Sequence, residues 1–278
     1  MTAPPPVLTV SHLAITFHQY ERGLRRRTVT PVVDMSLTAR AGEIVAVVGA
    51  SGAGKSLIGL ATMGLLPPNA EEHGTISFHG APVTPAARRA LAGREMTLLP
   101  QSGTYLDPLA RVGAQLKRAA RLAGLPDPEG AALAVLERRG LPPQTRRLFP
   151  HQLSGGMTRR ILFGIATISQ PALVFADEPT PGLHPTSVTE VLADIRHLAD
   201  SGSAVVLVTH DIDQALTVAD AVVVCHAGRT IEEATPDQFT GDGSALGHPY
   251  SQALWQALPT HGFRLIHDPA ALADEVPR

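Results

Sequence analysis

One cysteine, Cys225, stands in a chain of 278 residues, and that scarcity excludes an internal disulfide and a cysteine-held metal cluster. Charge of one sign is lacking too: 23 Lys and Arg face 25 Asp and Glu, so nothing in the balance argues for nucleic acid as a partner. Aromatic residues make up only 4%. Twelve histidines are scattered without a pair at metal-ligand spacing. No apolar run is long enough to span a bilayer, because Ser169-Gln170-Pro171 interrupts the longest, 161–176. The first residues lack the basic stretch and apolar core of a signal peptide. These absences predict a soluble, cytoplasmic chain that reaches a membrane only through a partner.

Apolar residues amount to 44%, enough to bury a sizeable core in one large α/β domain or two small ones. Residues 7–17 alternate as a strand does, and 32–37 read as a second strand. The stretch between them, with Arg25-Arg26-Arg27, reads as a hairpin tip or loop. Further strands are predicted at 75–78, 96–99, 173–176 and 204–209. A closing hairpin is expected at 221–225 and 229–232, around Ala227-Gly228. Helices are predicted over 57–66, ended by Pro67-Pro68, and over 112–123, 131–139 and 158–169. The helical stretch of about 102–168 interrupts an otherwise alternating β and α pattern and reads as an inserted subdomain.

The sharpest signal is Gly49-Ala50-Ser51-Gly52-Ala53-Gly54-Lys55-Ser56 followed by Leu57, directly after the apolar run Ile44–Val48. It fits the phosphate-loop pattern G-x-x-x-x-G-K-S without a mismatch. Glycines let the backbone turn its N–H groups on an anion, and the following helix adds its positive dipole end. Lys55 is expected to reach the β- and γ-phosphates of a nucleoside triphosphate, and Ser56 to hold Mg²⁺. A second apolar run ends in Asp177-Glu178, which places two carboxylates at the C-terminal edge of a parallel sheet. Asp177 suits Mg²⁺ there, and Glu178 suits the attacking water. A third element, Leu153-Ser154-Gly155-Gly156-Met157, reads as a helix start with exposed N–H groups, a second anion site.

Together these motifs resemble the ATP-binding-cassette ATPases over about residues 7–260, with 261–278 as a C-terminal tail. The resemblance implies a P-loop NTPase (RecA-like) α/β core, an N-terminal antiparallel β subdomain and the inserted helical subdomain. Ser154, Gly155 and Gly156 look like the signature motif, which in that family contacts ATP held by the opposite subunit. Gln101 looks like the glutamine that senses Mg²⁺ and the attacking water. His210, in Val208-Thr209-His210-Asp211, looks like the switch histidine that contacts the γ-phosphate and supports Glu178. Phe17 looks like the aromatic that stacks on adenine, with Tyr20 as a rival.

Two stretches narrow the resemblance. His248-Pro249-Tyr250-Ser251-Gln252-Ala253-Leu254 and the Met157 form of the signature are similar to the oligopeptide, dipeptide and nickel importer ATPases. That subgroup implies a second, different ATPase subunit, two membrane permease subunits and an extracytoplasmic binding protein, with this chain on the cytoplasmic face of the cell membrane. Tyr105, Leu106 and Pro108 are expected to form an apolar face for the membrane subunit.

Three departures accompany the resemblance. His184 stands where the family usually has an interface Asp, an imidazole in place of a fixed anion. A cysteine-rich C-terminal segment is lacking, and the loop from Gln101 is one residue short. The last two lean toward a nickel or metal-chelate cargo. The rival expectations are a soluble cassette ATPase and a nucleotide switch that does not hydrolyse.

Overall fold

The computed structural model describes residues 5–20, 26–50, 52–100 and 105–261. Its strands are β1 (Pro6–Tyr20), β2 (Arg26–Arg40), β3 (Ile44–Gly49), β4 (Ala70–Phe78), β5 (Ala81–Pro82), β6 (Met96–Leu99), β7 (Leu173–Asp177), β8 (Ala204–Val208), β9 (Ala221–His226) and β10 (Arg229–Ala234). The helices are α1 (Lys55–Thr62), α2 (Pro85–Leu91), α3 (Val112–Leu122), α4 (Pro128–Arg138), α5 (Gly155–Thr167), α6 (Pro185–Asp200), α7 (Ile212–Leu216) and α8 (Pro249–Gln256). One sheet takes the order β5-β4-β1-β2-β10-β9-β3-β8-β7-β6.

Its two halves differ in kind. β1, β2, β4 and β5 are antiparallel, whereas β9, β3, β8, β7 and β6 run parallel. The parallel strands are buried on both faces, which explains their continuous apolar sequence. Alternate residues serve separate cores. Ile44, Ala46 and Val48 of β3 face a cluster shared with α3, α5 and α6, while Val45 and Val47 face one shared with β1, β2 and α1. On α1, Gly59 admits the Phe175 ring of β7; a methyl there would lie 2.5 Å from it. α3, α4 and α5 pack on one another between β6 and β7 in sequence.

Several expectations need correction. Arg26 and Arg27 lie in β2, opposite Tyr20 and Gln19, rather than in a turn. A hairpin wetted on one face needs apolar residues only on the other, so charge does not end it. α1 ends at Thr62, before Pro67, because Gly64 (φ 65) turns left-handed and its N–H closes on the Ala61 carbonyl. α2 was not expected; Thr84 caps it by accepting from the Ala87 N–H, and Pro85 starts it. Leu106 is 3% exposed and belongs to the core, so it presents no face to a partner, whereas Tyr105 (64%) and Leu109 (88%) are open.

Candidate functional site

The site gathers where β3, β8 and β7 end side by side. β3 leads into a loop whose shape depends on glycine. At Gly49 φ is 146°, and a Cβ would stand 2.0 Å from the Cys225 carbonyl oxygen on paired β9. At Gly54 φ is 85°, and a Cβ would meet the Pro31 carbonyl oxygen at 2.8 Å. Gly54 is the N-cap of α1; no side chain caps the helix, and its first turn holds no acid. Its leading N–H groups are therefore not taken up by a side-chain cap or by an acid of the helix's own first turn. The loop borders a cavity of about 340 Å³ lined by Pro31, residues 52–57, Glu178 and Val208.

Lys55 is nearly buried and donates to the Gly49 carbonyl at 2.8 Å and the Ala50 carbonyl at 2.9 Å. Burial pushes its ammonium below the ordinary lysine range, against the opposing pull of Glu178, Cys225 and Asp177. Ser56 donates to Asp177 Oδ1 at 2.8 Å, which ties the first turn of α1 to the end of β7. Burial pushes the Asp177 carboxyl up; the Ser56 hydroxyl counters this, Glu178 adds to it, and Lys55 relieves it.

Glu178 has left-handed backbone, φ 47°, rare for a non-glycine residue. Its N–H donates to the Val208 carbonyl at 2.9 Å, continuing the β7–β8 ladder one residue past the strand. Its two carboxylate oxygens each lie 2.9 Å from His210 Nδ1. An imidazole N–H on that atom holds the carboxylate while leaving its outer lone pairs for a proton from water.

The structure thus brings together Gly49, Ala50, residues 52–57, Asp177, Glu178 and His210. Ser51 and Gln101 lie outside the described residues. Ser154, Gly155 and Gly156 are exposed at the start of α5, where Ser154 Oγ accepts the Met157 N–H at 3.2 Å, and none of the three lines the cavity. Phe17 is half-buried on β1 between Val29 and Ala70 and packs on the core; it does not line the cavity either. The Tyr20 side chain is outside the described residues. His184 occupies the N-cap position of α6, with Nδ1 3.1 Å from Thr186 Oγ1.

Sequence reasoning missed Arg159. Its guanidinium donates to the Pro179 carbonyl, joining α5 to the segment just after Glu178. An Arg on a helix carries no local signal for a bond to a loop 20 residues on.

With this geometry in place, the chain compares directly with known proteins. Residues 32–181 match the family described as ABC transporter. The chain belongs to that family. The cassette is 33% identical to the oligopeptide transport ATP-binding protein OppD of Salmonella typhimurium, an alignment covering 92% of this chain and 78% of the relative. It is 34% identical to the dipeptide transport ATP-binding protein DppD of Escherichia coli, covering 81% and 71%. A solved structure described as the ATP binding subunit of an ABC transporter superposes with a TM-score of 0.67 at 26% identity, covering 84% of this cassette and 91% of that chain. The cassette is therefore an ATP-binding and ATP-hydrolysing member of the family, with the α/β architecture expected from its motifs. Among its described residues no helix is long and apolar enough to cross a membrane.

The cassette's one thiol lies just under this loop. Cys225 is fully buried, and burial pushes its thiol up to about 12. Thiolate is the reactive form, so iodoacetamide at pH 8 should leave the folded protein unlabelled and label it stoichiometrically in denaturant. Mass spectrometry of both samples checks this, and ready labelling of folded protein would contradict the packing described.

Proposed function

We propose that this chain powers an importer for oligopeptides or dipeptides, hydrolysing ATP at the site formed by Lys55, Ser56, Asp177, Glu178 and His210. The observation that carries the reading is the Glu178–His210 pair, bonded at 2.9 Å at the edge of the glycine-loop cavity. Loop N–H groups and Lys55 bind the β- and γ-phosphates once Lys55 exchanges its carbonyl partners for phosphate oxygens. Glu178 orients water in line with the γ-phosphorus and takes its proton as the P–O bond forms. The bond to the β–γ bridging oxygen breaks, and ADP departs with its electron pair. His210 holds the carboxylate in place throughout.

Ser56 and Asp177 together fit Mg²⁺, since hydroxyl and carboxylate are the hard oxygen donors that ion takes. Among the described residues no cluster of three or more His, Cys, Asp or Glu could hold a metal, which suits an ion completed by substrate phosphates. When bound, Mg²⁺ neutralises charge on the phosphates.

The partners we propose are a second, different ATPase subunit, two permease subunits and an extracytoplasmic binding protein. The chain would sit peripherally on the cytoplasmic face of the membrane. Exposed Ser154–Gly156, outside the chain's own cavity, support a role toward nucleotide held by another subunit; His184 supports a non-identical pair. Exposed Tyr105 and Leu109 suit contact with a permease. Adenine contact by Phe17 and a sensing role for Gln101 remain part of this proposal, as does the cassette boundary near residue 260. Peptide rather than nickel is favoured because the relatives described above are peptide transport proteins.

The test is phosphate release from proteoliposomes holding the assembled transporter. Peptide-loaded binding protein should raise the rate several-fold. Stimulation by a nickel chelate but no peptide would reassign the cargo, and no release at all would remove the hydrolytic reading.

A further inference from the structure

The helical stretch carries a second cavity, which shares no lining residue with the phosphate site. It measures about 230 Å³ and lies between α3, α4 and the turn at 143–147. Backbone contacts fix its frame. The Val112 N–H donates to the Leu148 carbonyl at 2.9 Å, seating the start of α3 on the end of that turn. Gly113 permits the approach: a methyl there would stand 3.0 Å from the Arg146 Cβ and from its carbonyl oxygen. Asp127 caps α4 by accepting the Gly130 N–H at 2.9 Å. The lining includes Ala132 and Leu136, both members of the core, with Leu133 between them in sequence. Part of the cavity wall is therefore apolar and held by core packing.

The rest of the lining is cationic. Glu129 takes Lys117 on one carboxylate oxygen at 2.9 Å and Arg146 on the other at 3.4 Å. Lys117 foremost, with Arg146 adding, holds the Glu129 carboxyl below its usual range. The cluster thus already receives one carboxylate. Two further cations line the same cavity without an acidic partner among the described residues: Arg147, which is exposed, and Arg111, which lies over the Phe149 ring at 5.3 Å from its centre. Four cations around a single anion repel one another, and a second anion relieves that repulsion. Guanidinium forks match the two oxygens of a carboxylate. The volume lies below the roughly 300–1,000 Å³ of pockets that take drug-sized ligands, so the ligand it fits is small. We propose that this cavity is a binding site for a small organic carboxylate with an aliphatic body, the charge met by Arg147 and Arg111 and the body laid on Leu133 and Leu136. The site goes beyond the importer reading and does not rest on it.

The probe is N-acetyl-leucine, titrated into the full-length chain and followed by two-dimensional NMR. Shifts should centre on residues 111–117, 132–136 and 146–147, with a dissociation constant of about 1 mM or tighter. Two other compounds separate charge from body. N-acetyl-leucinamide keeps the body and loses the charge, while inorganic phosphate keeps charge and lacks the body. Each should bind about tenfold more weakly or worse. Arg147→Glu should weaken N-acetyl-leucine by about tenfold or more, the range of a hydrogen bond to a charged group. Arg118→Glu is the control: it makes the same charge change at an exposed position of α3 that does not line the cavity. There the affinity should stay within about twofold of wild type, as for an exposed charge screened by salt. Equal losses in the two variants overturn the site in favour of a diffuse basic field. Equal binding of the amide or of phosphate overturns it too, as does the lack of any shift at about 10 mM probe. No arm depends on ATP hydrolysis, so failure here leaves the functional reading standing, and failure of that reading leaves this site standing.

Discussion

Replacing Glu178 with Gln lowers ATP turnover by about two to four orders of magnitude, the usual worth of a positioned general base. The amide keeps the size of the carboxylate, so the left-handed backbone at 178 and its bond to Val208 persist and the melting temperature stays close to that of wild type. What changes is the chemistry of the contact at 2.9 Å. A carboxylate offers His210 two equivalent acceptors, whereas an amide offers one oxygen and one NH₂ group that cannot accept. Binding should be spared, because the groups proposed to meet phosphate are the loop N–H donors and Lys55. The protein should therefore bind ATP normally and stall, and a paired cassette should accumulate as an ATP-held dimer. Phosphate release measures the first effect and light scattering the second. Turnover within tenfold of wild type would show that some other group takes the proton.

His210→Ala should act more weakly on the same assay, since it removes only the support of the base. The ranking of the two variants follows from the proposed roles, in which Glu178 meets water and His210 only holds it.

The parts of this site that could be read from sequence are those written into short contiguous runs. β3, β7 and β8 are buried on both faces, and each shows as four to six apolar residues followed at once by its functional side chains. Asp177, Glu178 and His210 could be placed because each sits at the end of such a run, and Lys55 because the glycine pattern that follows β3 leads to it. The long hairpin of β1 and β2 could not be bounded in the same way. His18, paired with Thr28, and Arg27, paired with Gln19, interrupt the apolar signal without interrupting the ladder. α2 is only seven residues long and too short for a helical period to show. Leu106 was misplaced because an apolar residue in a loop can point to core or to partner, and local sequence does not distinguish them. The bond from Arg159 to Pro179 joins residues brought close only by the finished fold.

The largest effect on folding should come from the smallest side chain in the site. Gly49→Ala places a methyl 2.0 Å from the Cys225 carbonyl oxygen and 3.0 Å from its carbon, both backbone atoms of a buried strand that cannot step aside. Two costs combine: overpacking of about 1–3 kcal/mol, and a positive φ of 146° unsuited to an L side chain, about 1–3 kcal/mol. Their sum, about 2–6 kcal/mol, takes a large share of the ~5–15 kcal/mol by which domains are stable. At this chain length it should lower the melting temperature by about 5–20 °C. Gly52 supplies the comparison. Its φ is 84°, yet a Cβ there meets nothing within 4 Å, so Gly52→Ala carries backbone strain alone and should cost about half as much. Thermal unfolding of both variants without nucleotide separates the terms, since neither substitution removes a hydrogen bond. Equal losses would mean that β9 yields to the methyl and that sterics do not require glycine at 49. A much greater loss at 49 would make that residue the point where packing of the central sheet, rather than affinity for phosphate, dictates the loop sequence.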